Sequence, residues 1–455
     1  MLTTPSSRSP WKRLRAWLAA CVAFVLLAPS GALAQQSTDE DWKRSIEQRL
    51  ERLEEGLTRL LDHLDRTDEE PDAESAREQA AALVEEGQRL ADDLSAPSPG
   101  AEAPVEAKRL PYGGYMELHF NDHEVSGTSA DFHRFVLLFG HDFSDKVRFV
   151  GELELEHALV EGGGEQAGEL ELEQAYLDFQ LSPSLSARAG MMLVPIGIIN
   201  ERHEPASFHG VERPFVDTFI VPSTWFSNGF GLTGRFGSGF SFKTFLMSSL
   251  DASMFSAGEG LRDGRQKGFE DDFSDPAVVA RLEYSGVPGL SLGGTYWTGK
   301  TGFGFEPLQI DGNTKILEVD AQYAWRRFQL KGQYATTEFD DAGIINRALQ
   351  GQTGIQPNLA EEMNGHYLEA AYHLFPRRIR NELALFYRYE DFDTQHKMPA
   401  GFLPITEFKR DAHVLGLTFF PLPDVAIKAD YNFMGNDSNV VEALDTWNVG
   451  IGWWF

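Results

Sequence analysis

Cysteine is almost missing from this sequence: Cys21 is the only one among 455 residues. It lies in an apolar run at residues 16–28, close to the N-terminus. An apolar run of this length behind a basic stretch is typical of a secretory signal peptide, which is removed from the mature protein. After such a cleavage the mature chain has neither disulfide bonds nor thiol chemistry.

The signal peptide is predicted to span residues 1–34. Basic residues at positions 12, 13 and 15 precede the apolar run, and the small residues Ala32 and Ala34 offer a cleavage site before Gln35. A lipoprotein signal cleaved at Cys21 is the alternative. That cleavage would leave most of the apolar run on the mature protein, which argues against it.

Two further scarcities narrow the class of protein. No other stretch approaches the roughly 18–20 apolar residues of a membrane helix, so any further membrane span would have to use strands. Basic residues are outnumbered, with 40 Lys and Arg against 69 Asp and Glu and a net charge of −29. Such an acidic chain would be repelled by a phosphate polymer, so nucleic acid is excluded as a partner.

Residues 39–94 carry a helical pattern that the rest of the chain lacks. Apolar residues recur at spacings of four and three, which is the seam of a coiled coil; they are Ile46, Leu50, Leu53, Leu57, Leu60 and Leu64. A weaker second seam follows Pro71. The segment is predicted to be a periplasmic coiled coil, either self-associating or folded back as a hairpin. Residues 95–109, rich in Pro and Ala, are predicted to be a linker.

From residue 110 onward the pattern is strand, short turn, strand, long loop, repeated. It predicts sixteen strands, near residues 113–121, 131–143, 147–158, 169–181, 185–197, 229–237, 240–250, 277–286, 290–299, 314–326, 328–339, 364–375, 381–392, 408–420, 425–435 and 446–455. Short and long connections alternate throughout, as they do in outer-membrane barrels. The sequence therefore predicts an all-β fold: a 16-stranded antiparallel transmembrane β-barrel over residues 110–455, behind a short α-helical coiled coil. A barrel of this size is expected to enclose a water-filled lumen.

The last predicted strand supports closure in lipid. Trp447, Val449, Ile451 and Trp453 share one face with the terminal aromatic Phe455, while Asn448, Gly450 and Gly452 fall on the other. A final strand that pairs with the first leaves no free edge in the membrane. An ordinary C-terminal strand of a sandwich is the alternative for this segment alone.

Alternation within the strands predicts which charged residues face the lumen, because charge on the lipid side is costly. The predicted pore-lining residues are Arg134, Glu152, Glu154, Arg188, Arg281, Glu283, Glu318, Asp320, Lys331, Arg388 and Lys428. The fourth strand changes parity between Leu172 and Leu177. Either a bulge near Gln174 or an upper half standing above the membrane would explain that change.

A long connection is predicted at residues 198–228. Residues 200–229, which include most of it, read NERHEPASFHGVERPFVDTFIVPSTWFSNG. Together with the Gly-x-x-x-x-Pro end of the preceding strand, it resembles the phosphate-selective porin O and P family. The resemblance implies a trimeric outer-membrane porin whose third long loop folds into the barrel and narrows the pore. The residues that it implies at the constriction are Arg202, His203, Glu204, Glu212, Arg213 and Asp217. The alternative for Glu212 and Arg213 is that they only fasten the loop to the wall through ion pairs.

The expected function is passive diffusion of small hydrophilic solutes or ions through an outer-membrane channel of a Gram-negative-type bacterium, with the N-terminal segment in the periplasm. Phosphate is one possible solute, but selectivity for it does not follow, because the candidate lumen cations are interleaved with carboxylates and should give a weak field. No cofactor and no metal are expected, since the spacing of His203, Glu204 and His209 is generic. The alternatives are a tether to the cell wall through the coiled coil and, less favoured, an outer-membrane hydrolase.

Overall fold

The computed structural model describes residues 112–455, apart from 124–126, 159–167, 303–311, 354–356 and 375–380. The predicted signal peptide, coiled coil and linker lie outside the described residues. Within the described part, no helix is both long and apolar enough to cross a membrane.

Sixteen strands form one closed antiparallel barrel in which each strand pairs with its neighbours in sequence and the last pairs with the first. The predicted barrel is confirmed. The strands are β1 Tyr112–His123, β2 Gly127–Ser144, β3 Val147–Glu156, β4 Glu169–Ser182, β5 Leu185–Leu193, β6 Phe226–Phe236, β7 Phe240–Met247, β8 Ala277–Tyr284, β9 Leu290–Lys300, β10 Asn313–Trp325, β11 Phe328–Phe339, β12 Glu362–His373, β13 Glu382–Lys397, β14 Lys409–Leu422, β15 Val425–Asn436 and β16 Thr446–Trp454.

The strands have an apolar outer face, and much of their inner face is polar. In β10, Leu317 and Val319 are each 49% exposed on the outside of the barrel, whereas Glu318 and Asp320 between them are buried. The same alternation places Arg281 inside and Leu282 outside in β8. The predicted parity is confirmed in these strands, and it follows from the period of two that every strand imposes on its side chains.

Short connections need backbone conformations that glycine provides. The turn between β6 and β7 contains Gly237 and Gly239, both with positive φ. A Cβ at Gly239 would also collide with the backbone of Gly286 in the neighbouring turn. The two neighbouring turns therefore pack closely at one rim of the barrel, and this contact requires glycine at position 239.

The change of parity in β4 is a β-bulge. Glu152 of β3 pairs with Gln174, but Leu153 pairs with Leu172, so Glu173 is an extra residue in β4. The bulge puts Leu172 on the outer face and turns Glu173 inward, where its exposure is 0%. Of the two explanations left open by the sequence, the bulge is the one observed.

The long connections contain helices that the strand pattern did not predict. They are α1 at Val216–Phe219, α2 at Ala342–Thr353, and single 3-10 turns at Ala252–Met254, Arg262–Gly264 and Thr406–Phe408. Side chains of α1, α2 and the first 3-10 turn join inward-facing strand residues in one buried apolar cluster. Members of this cluster include Ile196, Val216, Ile220, Trp225, Leu250, Phe255, Trp297, Ile345 and Leu349. This part of the interior is packed, contrary to the expectation of an unpacked lumen, because the long connections fold inward and bury their apolar side chains there.

Candidate functional site

The connection between β5 and β6, residues 194–225, crosses the interior of the barrel; we call it the inner segment. Its backbone amides donate to inward-facing side chains of distant strands. Ile198 donates to Gln333 Oε1 of β11 at 2.9 Å, and Val216 donates to Glu390 Oε2 of β13 at 3.0 Å. These contacts satisfy backbone groups that burial would otherwise leave unpaired.

The base of the inner segment is closed by one buried asparagine. Asn200 Nδ2 donates to the carbonyl oxygens of Val194 and Trp225, at 2.7 and 2.9 Å. Its Oδ1 accepts from the amide of Trp225 at 2.8 Å. The two ends of the segment are thereby held together where it leaves the wall.

The middle of the inner segment approaches the wall closely at β15 and β16. Val211 donates its amide to Asp430 Oδ2 at 2.5 Å. Gly450 of β16 faces Val211, where an added Cβ would lie 3.0 Å from the valine side chain. Gly452 faces Pro205 in the same way. The inward glycines of the last strand therefore make room for the segment.

The six residues predicted at the constriction are spread along the inner segment and do not form one ring. Arg202 is exposed and Glu204 is half-buried. His203 faces Glu173 of β4, with 3.3 Å between His203 Nε2 and Glu173 Oε2. Glu212 accepts from Asn121 Nδ2 of β1 at 2.9 Å.

Arg213 stays within the inner segment, donating to Ser223 Oγ at 3.2 Å. Asp217 is buried in α1 and accepts from Gln333 Nε2 of β11 at 2.7 Å. Glu212 and Asp217 thus fasten the segment to the wall, whereas Arg213 supports the segment itself.

Burial changes the acid–base behaviour of two of these residues. Desolvation raises the pKa of Asp217 to about 7, against the opposing effect of the hydrogen bond from Gln333. Burial alone would lower the pKa of His203, but the Glu173 carboxylate outweighs it and raises that pKa to about 9.

The predicted pore-lining residues face inward, and all except Arg188 and Glu283 are buried. The four arginines among them are each paired with carboxylates. Arg281 Nη1 lies 3.1 Å from Glu318 Oε2, and Arg281 Nη2 lies 2.7 Å from Asp320 Oδ2. Arg388 pairs with Glu369 and Glu390, Arg134 with Glu117 and Glu154, and Arg188 with Asp178. The inner wall is therefore a network of opposite charges.

Two cavities lie on either side of the inner segment. One of about 470 Å³ opens among the long-connection ends of the strands, and its polar lining includes His119, Asp131, His133, His157 and Glu212. Another of about 450 Å³ opens at the short-turn end, and its lining includes Ser207, Phe208, His209, Lys331 and His373. The inner segment contributes residues to both cavities.

Two residues of this arrangement were missed by sequence reasoning. Glu369 and Asp430 accept hydrogen bonds from the inner segment. The inward parity of their strands could have identified them as lumen-facing. The contact of Glu369 with His209 Nδ1, at 2.8 Å, bridges 160 positions in sequence and had no local signal.

A closed barrel of sixteen strands with one connection folded inward is the fold of outer-membrane porins. Salmonella typhi OmpF in complex with daunomycin has a TM-score of 0.50 and 14% identity, over 76% of this chain and 97% of that one. The outer-membrane channel DcaP of Acinetobacter baumannii has a TM-score of 0.49 and 12% identity, over 76% of this chain and 96% of that one. At such identities the likeness to OmpF concerns the fold alone.

The chain is 33% identical over 358 residues to a protein of Aquifex aeolicus (strain VF5) described only as uncharacterized. The match covers 76% of this chain and 80% of the relative. The chain belongs to the same family as this Aquifex protein. No family model matches the sequence.

Proposed function

We propose that this protein is an outer-membrane porin through which small hydrophilic solutes or ions diffuse passively. The observation that carries the proposal is the closed barrel with an apolar outer face, a charged inner face and a connection folded across its interior. A closed sheet satisfies all its backbone groups without an edge, as a membrane requires. Its charged inner face gives hydrated solutes a polar route.

The permeation route in this proposal joins the two cavities past the inner segment. Residues 206–209 line the cavity at the short-turn end, and Glu212 and Phe215 line the other. The stretch between them is then the constriction, with Glu212 at its long-connection side. Of the other five predicted constriction residues, His203, Arg213 and Asp217 act by fixing the segment, and Arg202 and Glu204 lie towards its base.

Weak ion selectivity is the finer part of the proposal. Arginines that are paired with carboxylates leave little net electric field along the wall. Neither cations nor anions should therefore be strongly preferred. The resemblance to phosphate-selective porins keeps phosphate as a candidate solute. Against this, Arg281 and Arg388 are each engaged by two or more carboxylates.

Conductance in planar lipid bilayers tests the proposal. Purified protein should give stable, ohmic steps, and a salt gradient should give a reversal potential close to zero. The measurement is repeated with phosphate added to one side. Strong anion preference with a block by phosphate would replace general diffusion by phosphate selectivity.

A second candidate function is a structural barrel that passes little solute and is tethered to the cell wall through residues 39–94. The packed apolar cluster inside the barrel favours it. Correctly folded protein without conductance would support this candidate and overturn the first. Enzymatic activity is part of neither proposal.

A further inference from the structure

Three side chains of metal-ligand type converge where the inner segment meets β3 and β4. Glu152, Glu173 and His203 are each at most 3% exposed. One ligand atom from each lies within 4.8 Å of the other two. His203 Nε2 is 3.3 Å from Glu173 Oε2 and 3.9 Å from Glu152 Oε1.

The imidazole of His203 is oriented by the backbone. Its Nδ1 lies 2.9 Å from the carbonyl oxygen of Asn200, which can only accept a hydrogen bond, so Nδ1 carries a proton. Without a metal, Nε2 carries a second proton and pairs with Glu173; a metal that displaced this proton would meet a lone pair facing the two carboxylates. A ring nitrogen donating to a backbone carbonyl is the usual support of a metal-binding histidine.

The carboxylate of Glu173 is buried, with the His203 ring as its ion-pair partner among the described residues. The bulge in β4 turns it inward, and among those residues neither of its oxygens has a well-directed hydrogen bond. Glu152, in contrast, is held by Gln174 Nε2 and by the Tyr115 hydroxyl, the latter at 3.4 Å. An ionised carboxylate buried in this way is strongly unfavourable unless a cation compensates it.

Among the described residues, neither neighbouring arginine lies within ion-pair distance of Glu173. The guanidinium of Arg134 lies 3.3 Å from Glu117 and 3.6 Å from Glu154, and that of Arg213 donates to Ser223. A proton on His203 Nε2 would compensate only one of the two carboxylates. A divalent cation would compensate both and use all three ligand atoms.

We propose that Glu152, Glu173 and His203 bind a divalent first-row transition-metal ion, such as Zn²⁺, that fastens the inner segment to the barrel wall. Zinc bonds to nitrogen and oxygen of about 2.0–2.2 Å place ligand atoms roughly 3.3 Å apart in a tetrahedron. Two of the observed separations, 3.3 and 3.9 Å, are near this value, and all three are within 4.8 Å. The imidazole ligand favours such a metal over Ca²⁺ or Mg²⁺, which prefer oxygen. This role does not depend on whether the barrel conducts.

Among the residues that the structure describes, two other groups of metal-ligand type must be distinguished from this one in any experiment. Glu117, His119 and His133 form one group, and Asp131, His133 and His157 form another. Both contain His133, so His133→Ala removes a ligand from both and leaves Glu152, Glu173 and His203 unchanged. This variant is the background for the test.

The test is calorimetric titration of Zn²⁺ into the chelator-treated full chain in detergent. In the His133→Ala background, one equivalent should bind, and adding Glu173→Gln should weaken that binding by about tenfold or more. Glu173→Gln keeps the side-chain shape and removes the charge, so the barrel should still fold. Adding Glu442→Gln instead, at an exposed position of the last long connection, should change nothing.

Diffraction at the zinc absorption edge provides the second measurement, with an anomalous peak expected between the three side chains. The proposal is overturned if His133→Ala abolishes all binding, if Glu173→Gln leaves the affinity unchanged, or if the anomalous peak lies elsewhere. A protein that binds Zn²⁺ here but shows no conductance would contradict the proposed function and leave this inference standing.

Discussion

At the scale of single residues, the interior is organised by carboxylates that accept hydrogen bonds from the inner segment. Asp430 is the clearest example, because one oxygen accepts from the Val211 amide and the other from Asn448 Nδ2 at 2.8 Å. Glu390 has a similar double role, accepting from the Val216 amide and pairing with Arg388. These residues decide how firmly the segment is held.

Replacing Asp430 should loosen the inner segment. Asp430→Ala removes a charged acceptor from the Val211 amide, and such a bond contributes about 1.5–3 kcal/mol. We expect larger and noisier single-channel currents in bilayers. Asp424→Ala is the control, since Asp424 lies in the exposed turn between β14 and β15. Identical currents from the two variants would show that Asp430 does not restrain the segment.

Asp217 should make the stability of the protein depend on pH. Its pKa is about 7 in the folded protein, well above the ordinary value, so the folded state holds a proton that the unfolded chain releases at lower pH. The contribution of Asp217 to stability should therefore fall as the pH rises from about 4 to about 7 and stay at its reduced level above.

Asp217→Asn should remove this dependence and stabilise the protein above about pH 7 by an amount on the order of a few kcal/mol. The midpoint of unfolding, measured for both proteins below and above pH 7, tests whether stability changes with pH in this direction. A parallel pH dependence in the two proteins would assign the effect to another group.

At the scale of elements, the inner segment and the strands that receive it are matched. The inward glycines of β16 leave space for Pro205 and Val211, and the bulge of β4 turns Glu173 towards His203. Strand pairing involves none of the segment's residues, so the barrel can close without it.

Deleting residues 204–217, with a short Gly–Ser bridge, should raise conductance several-fold while the barrel still assembles. The deletion removes the donors to Asp430 and Glu390 and joins the two cavities. Deletion of residues 439–443 is the control, because Val440 in that connection is 93% exposed. Equal conductance in the two deletions, measured in bilayers, would place the constriction elsewhere.

At the scale of the whole molecule, closure is completed by the last residue. Phe455 donates its amide to the carbonyl of Gly114 at 2.9 Å and accepts from the Gly114 amide at 3.2 Å. The first and last strands are thereby paired to the end of the chain, and the barrel has no free edge.

The N-terminal segment should govern assembly without affecting conduction. We expect a homotrimer in outer-membrane lipid, with the seam from Ile46 to Leu64 bundling three chains and contacting the cell wall. Removing residues 35–100 should leave the conductance steps unchanged and lower the temperature at which the trimer dissociates in detergent gels. A native monomer in mild detergent, or an unchanged dissociation temperature, would contradict this role.

The sequence by itself determined the barrel, because the signals for it are local. Alternation with a period of two, as in β8 and β10, fixes which side chains face inward, and turn residues such as Gly237 and Gly239 fix where strands end. Even the bulge in β4 left a trace, as a change of parity between Leu172 and Leu177.

Only the tertiary structure decided what fills the barrel. The contacts of Val211 with Asp430 and of His209 with Glu369 join positions 219 and 160 residues apart. The meeting of Glu173 with His203 depends on both the bulge and the path of the inner segment. Sequence periodicity shows only which of its strand's two faces each side chain occupies. These contacts, in contrast, depend on where a long connection passes once the barrel has closed.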